Sequence, residues 1–103
     1  MRRNVTFRAS AQGDLDTILD FIARDSPGDA IDFTRRIRAG CERLGDFPER
    51  GKRRDDLAAG LRTISFERRV LIVYRVLPDR VQIVQIYYGG RNVEHLMKRK
   101  RPG

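Results

Sequence analysis

The sequence predicts an α+β domain in which a short N-terminal strand and a two-helix hairpin pack on a small antiparallel sheet, in the order β-α-α-β-β-β. Three observations predict it. Apolar residues recur at helical spacing between residues 15 and 44. From residue 61 the period falls from 3.6 to 2. Breaks at DSPGD, Gly45, PDR and Gly89-Gly90 separate the segments.

Residues 4–8, NVTFR, place Val5 and Phe7 on one face of a short strand. Ser10 is the expected N-cap of a first helix whose stripe is Leu15, Ile18, Leu19 and Ile22, with Phe21 beside it. Asp14 and Asp16 fall in its early turns, where the helix dipole favours negative charge. In DSPGD, Ser26 caps a second helix, Pro27 suits its first position and Asp29 completes a pattern like a capping box. The stripe Ala30, Phe33, Ile37, Cys41 and Leu44 carries that helix to Gly45, and the short link makes the pair an antiparallel hairpin. Phe47-Pro48 anchors the crossing that follows. Gly51 allows a turn that exposes Lys52, Arg53 and Arg54, and Gly60 permits a bend into the sheet.

LRTISFE then sets Leu61, Thr63 and Ser65 against Arg62, Ile64 and Phe66. RRVLIVYRVL is apolar almost throughout, as expected of a central strand covered on both sides. PDR turns the chain, and VQIVQIYY alternates Val81, Ile83 and Gln85 with Gln82, Val84 and Ile86. Gly89-Gly90 ends the sheet.

With 103 residues and no repeat or long linker, residues 1–103 form one domain, closed by a basic segment over 90–103. No apolar run reaches the ~20 residues of a membrane span. MRRNVTFRAS lacks the apolar core of a secretory leader, so the expected compartment is cytoplasmic. Lone Cys41 permits no internal disulfide, in keeping with a reducing compartment. Charge is uneven. Residues 1–50 hold nine Arg and nine acidic residues, whereas 51–103 hold thirteen basic and five acidic residues, the whole excess of +8. One surface therefore suits an acidic partner.

Most catalytic routes fail on the residues available. A nucleophilic triad needs a base, and the only histidine, His95, lies in the basic tail. Cys41 sits on the buried stripe of the second helix and reads as a small core residue. One Cys and one His do not make a zinc site. Asp55-Asp56, or Asp14, Asp16 and Asp20, have the oxygen ligands for Mg²⁺ in principle, and the latter three read as the solvated face and N-terminal charges of the first helix. No phosphate-binding loop or dinucleotide fingerprint is present, so no metal or cofactor is expected. The surviving route is metal-free RNA cleavage by clustered Arg, Lys and Tyr, in which cations stabilise the transition state.

SAQGDLDTILDFIARDSPGDA, LGDFPERGKRRDDLAAGLR, VLIVYRV and VQIVQIYYGGRN together resemble the ParE-type toxins of the RelE/ParE toxin–antitoxin superfamily, in order and over nearly the whole chain. The resemblance implies the same β-α-α-β-β-β fold. RelE-like members cut mRNA at the ribosome, with an Arg before the Val-Tyr pair of a strand and a further Arg and Tyr after the last strand. Here those positions read Leu71, Val93 and Met97, and no Tyr follows Tyr88. ParE-like members lack those residues too; they bind DNA gyrase, trap cleaved DNA and are neutralised by a ParD-like antitoxin.

The resemblance therefore implies a non-enzymatic gyrase poison with no catalytic residue. Antitoxin-binding candidates are Phe21, Ala30 and Phe33 as apolar anchors, with Arg53, Arg54 and Arg62 for acidic groups. Gyrase-binding candidates are Arg91, Asn92, His95, Lys98 and Arg99. The alternative is a RelE-like ribosome-dependent mRNA endonuclease working through Arg62, Arg69, Arg75 and Arg91. Plain nucleic-acid binding rests on charge alone: the tail has no aromatic residues to stack on bases, so no strong direct nucleic-acid binding is expected.

Overall fold

The structure, a computed structural model, describes residues 2–89. Its elements are β1 (Asn4–Phe7), α1 (Ala9–Ala23), α2 (Pro27–Arg43), β2 (Lys52–Arg53), β3 (Leu61–Phe66), β4 (Val70–Val76) and β5 (Arg80–Tyr88). The fold is α+β, with the helical hairpin laid on one face of a five-stranded sheet ordered β1-β5-β4-β3-β2. Two expectations change. The sheet is mixed, because β1 runs parallel to β5 with Val5 opposite Val81 and Phe7 opposite Ile83. The crossing after α2 also contributes a strand: Lys52 pairs with Thr63 and Arg53 with Arg62. That two-residue edge strand has no apolar alternation to announce it.

α2 starts as its residues require, with the Ser26 hydroxyl accepting the Asp29 N–H and Pro27 in the first turn. α1 does not. It begins one residue before Ser10, with Arg8 at the cap position and no side-chain cap. Ser10 is thus inside the helix, and Asp14 lies beyond its first turn.

Between helices and sheet lies the main core, built from Leu15, Ile18, Phe33, Ile37, Cys41, Ile72, Tyr74, Val81, Ile83 and Ile86 among others. A smaller cluster of Leu57, Leu61, Val73 and Tyr87 covers the opposite face, flanked by Leu71 and Val84. The central strand β4 is therefore apolar on both sides, as its sequence predicts. β5 departs from simple alternation. Val73 pairs with Gln85 but Tyr74 with Ile83, so Val84 is an extra residue, a β-bulge. The bulge moves Ile86 onto the face of Ile83 and Val81, away from Val84.

Candidate functional site

β1 pairs with β5 only as far as Ile83. Beyond that point the exposed edge of β5 is met by α1. The Arg8 N–H donates to the Ile83 carbonyl at 2.9 Å, and the Ser10 hydroxyl donates to the Val84 carbonyl at 2.7 Å. The Asp14 carboxylate accepts the Ile86 N–H at 2.8 Å. Side chains read as a cap and as dipole-facing charge instead satisfy a strand edge, a duty created by the bulge and by the end of β1.

Next to this seam α1 and the end of β5 form a groove of about 460 Å³, lined by Thr17, Ile18, Phe21, Ile86, Tyr87 and Tyr88, with Asp14 and Gly89 at its ends. Phe21 is 56 % exposed. Its ring meets Tyr88 edge to face at 6.1 Å, and the Arg24 guanidinium lies 6.0 Å from the ring centre. Tyr87 is mostly buried, and burial together with the charge of Asp14 holds its phenol above the ordinary value. An exposed aromatic ring over an apolar floor, with polar groups at its ends, is suited to holding a protein segment.

At the other edge of the sheet the cations are engaged. Arg54 is buried and holds Asp56 through Nε at 2.9 Å and a second nitrogen at 3.0 Å. Arg62 is half-buried and donates to the carbonyls of Gly51 at 2.8 Å and Glu49 at 3.3 Å. Arg53 is exposed and pairs with Asp55, whose carboxyl is held below its ordinary range by the Gly60 N–H and then by Arg53. Gly60 itself has φ +77°, the conformation that the bend into β3 requires.

Tyr74 completes this lattice. Its hydroxyl donates to the Pro48 carbonyl at 2.8 Å and accepts the Gly51 N–H at 2.7 Å. Gly51 is buried against the phenol, where a Cβ would collide with the ring and its oxygen. The glycine thus permits a close approach as well as a turn. Burial raises the Tyr74 pKa against the opposing effect of the Gly51 hydrogen bond, so the phenol stays neutral.

A second recess of about 500 Å³ lies where α2 meets the β3–β4 turn, lined by Asp29, Phe33, Arg36, Glu67, Arg69 and Tyr88 among others. Arg36 forks onto Glu67 at 2.9 and 3.0 Å. Glu67 and Arg68 have φ of 48° and 65°, left-handed values that are costly for residues with a Cβ. The two-point ion pair holds the turn against α2.

Among the antitoxin-binding candidates, Phe21 alone of the three apolar residues is exposed; Ala30 is fully buried and Phe33 is 8 % exposed, so both belong to the core. Arg54 and Arg62 hold the crossing together, and Arg53 faces outward. Arg91, Asn92, His95, Lys98 and Arg99 lie outside the described residues. Of the alternative ribonuclease set, Arg91 is also outside. Arg69 and Arg75 sit at opposite ends of β4, about 20 Å apart by strand rise. Arg62 shares a register position with Tyr74 and Arg75 one with Leu61, so Arg62 and Arg75 project from opposite faces. Sequence reasoning missed Tyr87, Tyr88 and Asp14 as groove residues. The spacing of Ser10, Asp14, Thr17 and Phe21 on one helical face was the available signal.

The same architecture occurs in the chromosomal ParDE TA system from P. aeruginosa, at 24 % identity over 85 % of this chain and 97 % of that one, with a TM-score of 0.73. It occurs again in the RelBE2 toxin–antitoxin complex from Mycobacterium tuberculosis, at 22 % identity over 85 % and 99 % of the chains, with a TM-score of 0.56. No curated protein matches the chain significantly. The fold is therefore that of the RelE/ParE toxins. Within that class, residues 5–93 match the ParE toxin of the type II toxin–antitoxin system parDE, and the chain belongs to that family.

Proposed function

We propose that this ParE-type toxin acts without catalysis of its own, by binding DNA gyrase and trapping its cleaved-DNA state, and that a ParD-like antitoxin neutralises it. The observation that carries the non-catalytic reading is the engagement of Tyr74 and Arg62. Both hydrogen-bonding roles of the phenol are taken by Pro48 and Gly51, and the guanidinium is bound to two carbonyls of the same loop. A phenol so engaged has little capacity left to move a proton, and two of the five guanidinium N–H donors are committed to the loop. Leu71, which stands where RelE-like members carry an Arg, is half-buried opposite Tyr87. The gyrase target rests on membership of the ParE family and on the tail candidates Arg91, Asn92, His95, Lys98 and Arg99.

The antitoxin reading draws on the exposed Phe21 and its groove, with Arg53 at a distant rim for acidic contacts. The two partners use separate surfaces in this account. The direct test is a supercoiling assay with purified gyrase. Inhibition with accumulation of cleaved DNA is expected. Active gyrase together with ribosome-dependent mRNA cleavage would replace the proposal with the ribonuclease alternative.

A further inference from the structure

We infer that the crossing loop, residues 47–52, is a contact surface for the enzyme that the toxin poisons, and that it receives an apolar side chain flanked by carboxylates. The partner's identity rests on the gyrase reading; the site is additional to the tail candidates. At 64 % exposure Phe47 is the most exposed large apolar side chain among the described residues. With Asp46, Pro48, Glu49 and Arg50 it lines a recess of about 560 Å³.

The backbone of this loop is fixed from the sheet. Tyr74 binds the Pro48 carbonyl and the Gly51 N–H, and Arg62 binds the carbonyls of Glu49 and Gly51. The Phe47 N–H donates to the Arg43 carbonyl at 3.2 Å, and the Arg50 N–H to the Phe47 carbonyl at 3.1 Å. A buried phenol and a half-buried guanidinium thus hold a loop on which Phe47, Glu49, Arg50 and Lys52 are all exposed. A surface ordered before it meets a partner loses little conformational freedom on binding. β4 and β3 stand between β5 and β2, so the loop is separate from the α1–β5 groove.

Charge selects the occupant. Asp46 lies 3.7 Å from Arg2 and Glu49 4.0 Å from Arg62, whereas Arg50 and Lys52 have no ion pair among the described residues. The surplus is positive and suits an acidic partner. A second copy of the chain does not supply one, since each copy carries +8. Nucleic acid fits less well than protein. It carries a phosphate at every nucleotide, so its backbone would also meet the Glu49 carboxylate, whose side chain is 86 % exposed. A folded protein can set single carboxylates opposite Arg50 and Lys52 and an apolar side chain on the Phe47 ring, with aromatic and Arg residues as anchors.

The test measures supercoiling by purified gyrase and toxin binding to immobilised gyrase without DNA. Phe47→Ser, and separately Arg50→Glu with Lys52→Glu, should each raise the half-inhibitory toxin concentration and the dissociation constant by roughly tenfold or more. All three side chains are exposed, so melting curves should match that of the unsubstituted chain. Arg35→Glu with Arg68→Glu makes the same change of net charge at exposed positions on α2 and the β3–β4 turn, and should leave inhibition within about twofold. Gyrase that stays active with the unsubstituted chain overturns the gyrase reading and this site together. Inhibition by the unsubstituted chain that Phe47→Ser leaves unchanged overturns the site alone, as does an equal loss from both charge reversals. A loss seen only with DNA present, while binding to DNA-free gyrase is intact, assigns the loop to nucleic acid and overturns the site as well.

Discussion

The carboxylate of Asp14 accepts the backbone N–H of Ile86 at 2.8 Å, joining the second turn of α1 to the end of β5 across 72 residues of sequence. With the Ser10 hydroxyl on the Val84 carbonyl, it converts an open strand edge into a helix-backed one. Two consequences follow for the groove: its floor is fixed in register, and its α1 wall cannot slide along β5.

Asp14→Ala leaves the Ile86 N–H without its acceptor, and stability is expected to fall by about 1–3 kcal/mol. Asp14→Asn keeps an oxygen in place and should lose less. Urea denaturation of both variants checks the order.

Tyr74→Phe removes a donor from the part-buried Pro48 carbonyl and an acceptor from the buried Gly51 N–H. A loss of about 1–3 kcal/mol is expected, with growth inhibition retained wherever the variant is folded. Loss of inhibition from a protein whose melting curve shows it folded would point back to a catalytic phenol.

Phe21→Ala should leave stability within about 0.5 kcal/mol, because the ring is largely exposed. Its effect belongs to binding. Antitoxin affinity should weaken by about 2 kcal/mol or more if the ring anchors the partner. Arg53→Glu, at an exposed rim, should act mainly on the association rate and its salt dependence. Surface plasmon resonance separates the two effects.

The pH profile has two limbs. Glu67 is held below its ordinary range by the Arg36 hydrogen bonds, and Asp55 by the Gly60 N–H and Arg53. Each folded pKa is depressed, so the associated stability is present above the unfolded values of 4.5 and 3.8 and is lost as pH falls through the folded ones. On the alkaline side burial pushes the Cys41 thiol up from 9.0 to about 12. The unfolded chain then ionises first, so stability declines as pH rises from about 9. Denaturation midpoints from pH 2 to 11 should show both limbs. Glu67→Gln should flatten the acid one and Cys41→Ala the alkaline one, apart from the cavity that the latter creates.

The amino-acid sequence by itself determined the helical hairpin, the α2 cap at Ser26, the three consecutive strands and the burial of Cys41, because these follow from local periodicity and local turn chemistry. It also placed Phe21 beside the buried stripe of α1, and it put Lys52, Arg53 and Arg54 on an exposed turn, where Arg54 is instead buried and holds Asp56. Only the tertiary structure decided that β1 joins β5 in parallel, that Lys52–Arg53 form an edge strand, and that Val84 bulges out of register. Pairing between distant segments and a one-residue slip leave no periodic mark on either segment alone. The same holds for Ser10 and Asp14, whose residue types suit a helix terminus equally well. Their actual partners are backbone groups of β5, which come within reach only after the strand edge has been left open and the helix has been laid across it.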